Sequence, residues 1–160
     1  MSRSFEIGKV NVNLTPRPIN PSWITEGNPE ASSCLLSESA DGLAWTIVWH
    51  CTEGKFDWHY DFDETIMILE GSVVLEIDGT PAKRYGPGDV VFFKDGAHAK
   101  WHVEGSIKKL AFCRRTPLWL SVALRVLNWV RNTGDQRGGL GLLGGDVVPS
   151  PSQRGTILKA

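Results

Sequence analysis

Two stretches of the chain gather most of the side chains able to do chemistry. Residues 54–71 read Gly-Lys-Phe-Asp-Trp-His-Tyr-Asp-Phe-Asp-Glu-Thr-Ile-Met-Ile-Leu-Glu-Gly, and residues 88–101 read Gly-Asp-Val-Val-Phe-Phe-Lys-Asp-Gly-Ala-His-Ala-Lys-Trp. Of the four histidines, His59 and His98 lie inside these stretches, and His50 and His102 lie close by. Imidazoles beside carboxylates suit two kinds of chemistry: ligation of a divalent metal, and proton transfer near neutral pH. The interleaved indoles suit a third, the stacking of a flat organic molecule.

Choosing among these depends on which way each side chain points. Successive side chains of a strand face opposite sides of the sheet. His59 stands between Trp58 and Tyr60, and His102 between Trp101 and Val103. If the tryptophans face inward, these histidines face outward. A bulge would reverse that assignment, and would reopen a metal site built from His59, His98 or His102.

The elements that must position these residues are strands. Residues 44–51, 55–60, 65–69, 72–77, 82–85, 90–93, 100–103 and 107–113 are short apolar runs separated by turn signals. The signals include Thr52-Glu53-Gly54, Glu70-Gly71, Gly86-Pro87-Gly88-Asp89 and the hairpin pair Asp78-Gly79. Strands at this spacing predict an all-β sandwich or barrel, and no long helical pattern interrupts them to make a parallel α/β sheet.

The flanks differ. Residues 1–30 carry Pro16, Pro18, Pro21 and Pro29 and predict an extended, helix-free arm that lies over a neighbouring surface or adds an edge strand. After Thr116-Pro117 the period changes. Residues 118–132 predict one amphipathic helix with Leu120, Ala123, Leu124, Leu127 and Val130 on its apolar face. The division expected is an arm over 1–30, a barrel over 31–116, a helix over 117–133 and a glycine-rich flexible tail over 134–160.

Composition narrows the partners. A formal net charge of −1, with no block of like charge, offers no footprint for nucleic acid. The apolar segment after Pro117 is too short to span a membrane and carries Arg125. Three cysteines, Cys34, Cys51 and Cys113, without a CxxC pair, predict reduced thiols in a cytoplasmic protein. The N-terminal residues show no signal-peptide core.

The two glycine-anchored stretches resemble the motifs of the cupin superfamily. The first cupin motif runs Gly, His-x-His, Glu, Gly; the second runs Gly-Asp, Pro-x-Gly, His, with Lys94 here at the proline position. Within that superfamily, Trp23-Ile-Thr-Glu-Gly-Asn-Pro-Glu-Ala31 and residues 49–71 resemble the DUF861 or Cupin_3 branch, which includes (S)-ureidoglycine aminohydrolase and ethanolamine-utilisation cupins. The resemblance covers residues 17–117 and implies a single-domain jelly-roll β-barrel that forms a homodimer.

It also implies a metal site, and here the chain departs from the pattern. The positions of the two motif-one histidines hold Trp58 and Tyr60, and the motif-two histidine position holds Ala99. Glu64 alone matches, and one carboxylate does not hold a transition metal. The expectation is therefore no metal and no cofactor. If strand parity holds, Trp58, Tyr60, Glu64, Ile66, Ile68 and Trp101 line a pocket, with Ala99 at its edge. Burial among aromatics is expected to raise the pKa of Glu64, with Tyr60 donating to it or to a ligand. Trp23, Trp45 and Trp49 are expected to cover core and dimer surfaces.

Three functions remain open at this point. One is a metal-independent enzyme that binds a small organic molecule and uses Glu64 and Tyr60 as acid and base. Another is a non-catalytic small-molecule binding or sensing module. The third is a divalent-metal enzyme of the aminohydrolase kind.

Overall fold

The computed structural model describes residues 5–117 together with Ala123, Val126 and Leu127. The chain divides into two units, residues 1–116 and 117–160. In the second unit Pro117 is irregular and Ala123, Val126 and Leu127 are helical; the rest of the anticipated helix, and the tail, lie outside the described residues.

The first unit is an all-β structure. Its strands are β1 (Thr15–Pro16), β2 (Ile24–Gly27), β3 (Ala31–Glu38), β4 (Ala44–His59), β5 (Asp63–Ile77), β6 (Lys83–Tyr85), β7 (Val90–Phe93) and β8 (His98–Arg114). They pair in the order β1-β3-β4-β8-β5-β6, with β2 also on β4 and β7 also on β5. Every pairing is antiparallel.

The arm supplies β1 and β2, which pair with strands of the same chain. It also holds one 3-10 turn, Pro21–Trp23, where no helix was expected. Proline tolerates the first position of a helix because its missing N–H is not needed there. The Asn20 side chain accepts from the Ser22 N–H at 3.1 Å and caps the turn.

Six of the anticipated short strands are halves of three long ones. The signals at residues 52–54 and 70–71, and the gap at 104–106 between two anticipated strands, are not hairpin turns but irregularities inside β4, β5 and β8. On β4 the partner jumps from Ser106 at Thr52 to Val103 at Gly54. On β5 it jumps from Ile107 at Gly71 to Val103 at Val73. Gly71 has φ +77°, and a Cβ there would overlap the Ser106 carbonyl, so glycine is what lets the strands cross this closely. A true hairpin forms at Asp78-Gly79: both have positive φ, and the Thr80 N–H donates to the Ile77 carbonyl at 2.9 Å.

The irregularities change which parity faces inward. On β4, Trp49 and Cys51 are buried before the irregularity, and Phe56 and then Tyr60 after it. On β5 the buried positions are Glu64, Ile66 and Ile68, then Val73 and Leu75. On β8 the buried series keeps one parity throughout: Ala99, Trp101, Val103, Ile107, Lys109, Ala111 and Cys113. Outward positions carry ion pairs such as Lys100 with Glu76 at 2.8 Å. The core is the space these inward series share.

Candidate functional site

The inward series of β5 and β8 bring one acid and one base together. Glu64 sits near the start of β5 and Lys109 in the second half of β8, whose neighbour across the ladder is Ile68. The Lys109 ammonium donates to Glu64 Oε1 at 2.8 Å, with side-chain exposures of 5% and 4%. These are the two buried charged residues of the described chain. Such a pair persists in low dielectric because each charge offsets the desolvation of the other.

Indoles enclose the ammonium. Lys109 Nζ lies 4.8 Å from the ring centre of Trp101, 4.9 Å from Trp49 and 6.0 Å from Trp58. These are cation–π distances, and the ring faces partly replace the lost hydration shell. The strand ladder accounts for the arrangement, since Trp49 pairs directly with Lys109 between β4 and β8.

Tyr60 follows β4 immediately. Its N–H donates to the Ala97 carbonyl at 3.0 Å and its carbonyl accepts from the Gly96 N–H at 2.8 Å. The phenol stacks on Phe93, with ring centres 4.2 Å apart and planes 9° from parallel. The hydroxyl of Tyr60 and the indole N–H of Trp101 are both buried without a hydrogen-bond partner. The two groups lie near each other but fall short of hydrogen-bond geometry. Burial, and then the Glu64 carboxylate, hold the Tyr60 phenol well above the ordinary tyrosine pKa, and Trp101 offsets only part of this. Two buried orphan donors beside an ion pair are costly to leave unpaired.

Glu64, Ile66, Ile68, Tyr60, Ala99 and Trp101 are all buried, and Trp58 is half-buried. Ala99 pairs with Trp58 on one side and Ile77 on the other. Two expectations need correcting. Glu64 is not a solitary acid among aromatics, because an ammonium lies against it. Nor does Tyr60 donate to Glu64; its hydroxyl has no partner.

Lys109 is the residue missed from the sequence. Its signal was present, because Lys108 and Lys109 are adjacent in a strand and one of the two must face inward whatever the phase. Trp49 and Trp23 also belong nearer the site than expected. Trp49 walls the ammonium, and Trp23 meets Trp58 edge-on at 5.4 Å.

The histidines stand elsewhere. His59 is exposed and stacks on the half-exposed His98 at 4.6 Å, and His98 Nε2 lies 3.7 Å from Asp57. His102 is half-buried on the outward parity of β8. His50 borders a groove of about 650 Å³ between the arm and β3–β4, with Pro18, Ile19 and Ile24. The β4 irregularity precedes Trp58, so the phase at His59 is the one that alternation predicts.

A family model described as the EutQ-like cupin domain matches residues 38–111. A DUF861 family protein from Thermotoga maritima is 33% identical over 40% of this chain and 73% of that one, with a TM-score of 0.38. The chain belongs to the EutQ-like cupin family. This cupin is also similar to a DUF861 protein of unknown function from Pseudomonas syringae pv. tomato, at 27% identity, TM-score 0.61 and 66% coverage of this chain. It spans only 46% of that Pseudomonas protein's length. A predicted oxalate decarboxylase from Thermotoga maritima shares the fold at 17% identity and TM-score 0.53, covering 69% of this chain and 99% of that one. No curated protein matches the chain.

The metal that the cupin pattern implies does not fit the residues present. Among the described residues, no three His, Cys, Asp or Glu side chains stand together as a ligand set. The one matching acid, Glu64, is already engaged by Lys109, so a fixed positive charge stands against the carboxylate a metal would need. A divalent cation there would face an ammonium and indole walls, with no set of three imidazole, thiol or carboxylate ligands among the described residues.

Proposed function

We propose that this cupin binds a small organic molecule bearing a carbonyl or carboxylate oxygen inside its barrel, without a metal. The observation that carries this reading is the pair of orphan donors, the Tyr60 hydroxyl and the Trp101 indole N–H, buried beside the Glu64–Lys109 pair. A ligand oxygen taking both donors would remove their cost, and Lys109 would reinforce its charge. Trp49 and Trp58 supply flat walls, and Ile66, Ile68 and Ala99 supply apolar floor and edge. Half-buried Trp58, with Trp23 edge-on to it, is the natural door.

The pair also supports chemistry. Glu64 and Lys109 can exchange a proton across 2.8 Å, while Tyr60 holds a developing negative charge on a ligand oxygen. The acid/base role falls to Glu64 with Lys109, and Tyr60 acts as the donor. A purely binding or sensing role uses the same contacts without turnover.

Screening carbonyl, ureido and sugar-derived compounds by thermal shift tests the binding reading. Hits on wild type that weaken in Tyr60→Phe and Trp101→Phe support it, and hits indifferent to both substitutions contradict it. Turnover equal in wild type and Glu64→Gln would remove the catalytic role and leave a binding module.

Assembly as a homodimer is part of the proposal, tested by light scattering; a monomer at micromolar concentration would refute it. All three cysteines are free, which suits a reducing compartment such as the cytoplasm. Among the described residues no helix is long and apolar enough to cross a membrane.

A further inference from the structure

We infer that Lys109 is a nucleophile, and that the barrel takes an aldehyde or ketone which this lysine holds as a reversible imine. The inference rests on the reading that the interior binds a small oxygen-bearing ligand, and it narrows that ligand to a carbonyl compound.

Three features converge on one reaction. First, Lys109 is the only lysine of the described chain that is buried, and it is walled by indoles. Lysines that form Schiff bases are enclosed in this way, where water does not compete for the amine. Second, a proton acceptor lies in contact, since Glu64 Oε1 is 2.8 Å from Lys109 Nζ. Third, two donors without partners, Tyr60 and Trp101, are available for an oxygen that gains charge as the carbonyl carbon is attacked. A merely structural ion pair explains the second feature and leaves the orphan donors without a use.

The steps balance without any further reactant. Lys109 passes one ammonium proton to Glu64, leaving a neutral amine and a carboxylic acid. The amine lone pair attacks the carbonyl carbon, and the C=O π pair moves onto oxygen, which the Tyr60 and Trp101 donors hold. The nitrogen loses a second proton, and the oxygen is protonated to a carbinolamine. Glu64 then protonates the departing hydroxyl. Water leaves as the C=N bond forms. The sum is a carbonyl compound plus ammonium giving a protonated imine plus water, with no net oxidation.

The test is hydride trapping on the full chain. Protein is incubated separately with benzaldehyde, glycolaldehyde and pyruvate, then reduced with cyanoborohydride, and the labelled lysines are located by peptide mass spectrometry. Thermal shift is recorded with the same three compounds. The inference predicts that at least one compound labels Lys109 about tenfold or more faster than exposed Lys100. Lys109→Met abolishes that label, and Tyr60→Phe slows it several-fold. Should Lys109→Met fail to fold, wild type against Tyr60→Phe still decides. Labelling confined to surface lysines, with a thermal shift that depends on Tyr60, overturns the imine and leaves the binding reading standing. Neither label nor shift with any of the three overturns the imine, and the wider thermal-shift screen then decides the binding reading.

Discussion

Glu64 and Lys109 are each expensive to bury and are tolerable only together. Replacing Glu64 by glutamine leaves the ammonium buried without its countercharge. The expected loss of stability is about 3–5 kcal/mol in urea unfolding. Combining Glu64→Gln with Lys109→Met should recover most of it, because the charge that needed a partner is gone. A double variant no more stable than Glu64→Gln alone would mean that the pair does not set the energetics of the core. The cysteines make a second residue-scale case. Burial pushes the thiols of Cys51 and Cys113 up to about 12, while Cys34 is partly exposed. A thiol reagent at pH 8 should therefore label Cys34 alone in the native protein and all three cysteines after denaturation. Labelling of Cys113 without unfolding would show that the barrel opens beside Glu64, with which Cys113 is paired.

The long strands give the site its geometry, and Gly71 is where that geometry is most constrained. Gly71→Ala puts a Cβ into the Ser106 carbonyl at a φ of +77°. The expected cost is at least about 1–3 kcal/mol, read by urea unfolding, and a neutral substitution would show that β5 and β8 can separate there. Much of this level was legible in the sequence. Alternation put Trp101 inward and His59 outward, and Asp78-Gly79 marked a true hairpin. What was not legible has physical reasons. Glu70-Gly71 and Thr52-Glu53-Gly54 have the composition of turns, and only the pairing of distant strands distinguishes a turn from a bulge. β3, Ala-Ser-Ser-Cys-Leu-Leu-Ser-Glu, lacks alternation because much of it is half-buried on both faces. Lys109 is hard to read from sequence because a charged residue in an apolar series reads as outward until its neighbour Lys108 is considered.

At the scale of the whole molecule, an all-β cupin fold encloses one buried ion pair. Trp58, Tyr60 and Ala99 stand where the motif resemblance implies imidazoles, and Lys109 supplies the positive charge that Glu64 faces. One consequence is bulk behaviour at high pH. Tyr60, Cys51 and Cys113 all hold their protons more tightly when folded. The unfolded chain loses those protons first, so stability is flat up to the ordinary thiol range and falls as pH rises toward 12. Urea midpoints from pH 8 to 11 should decline, and Tyr60→Phe should flatten the part above pH 10. A constant midpoint would deny that these groups are buried together.

In the proposed function, the two orphan donors meet a ligand inside the barrel. Tryptophan-labelled protein carries seven indole N–H signals, of which Trp101 is assigned by its loss in Trp101→Phe. Titration by nuclear magnetic resonance with the compounds that shift the thermal midpoint tests the claim directly. The Trp101 indole N–H should move most, and that of Trp45, which packs on Phe62 and Arg115, should stay fixed. A ligand that binds and leaves the Trp101 signal in place would show that the orphan donors are not its site.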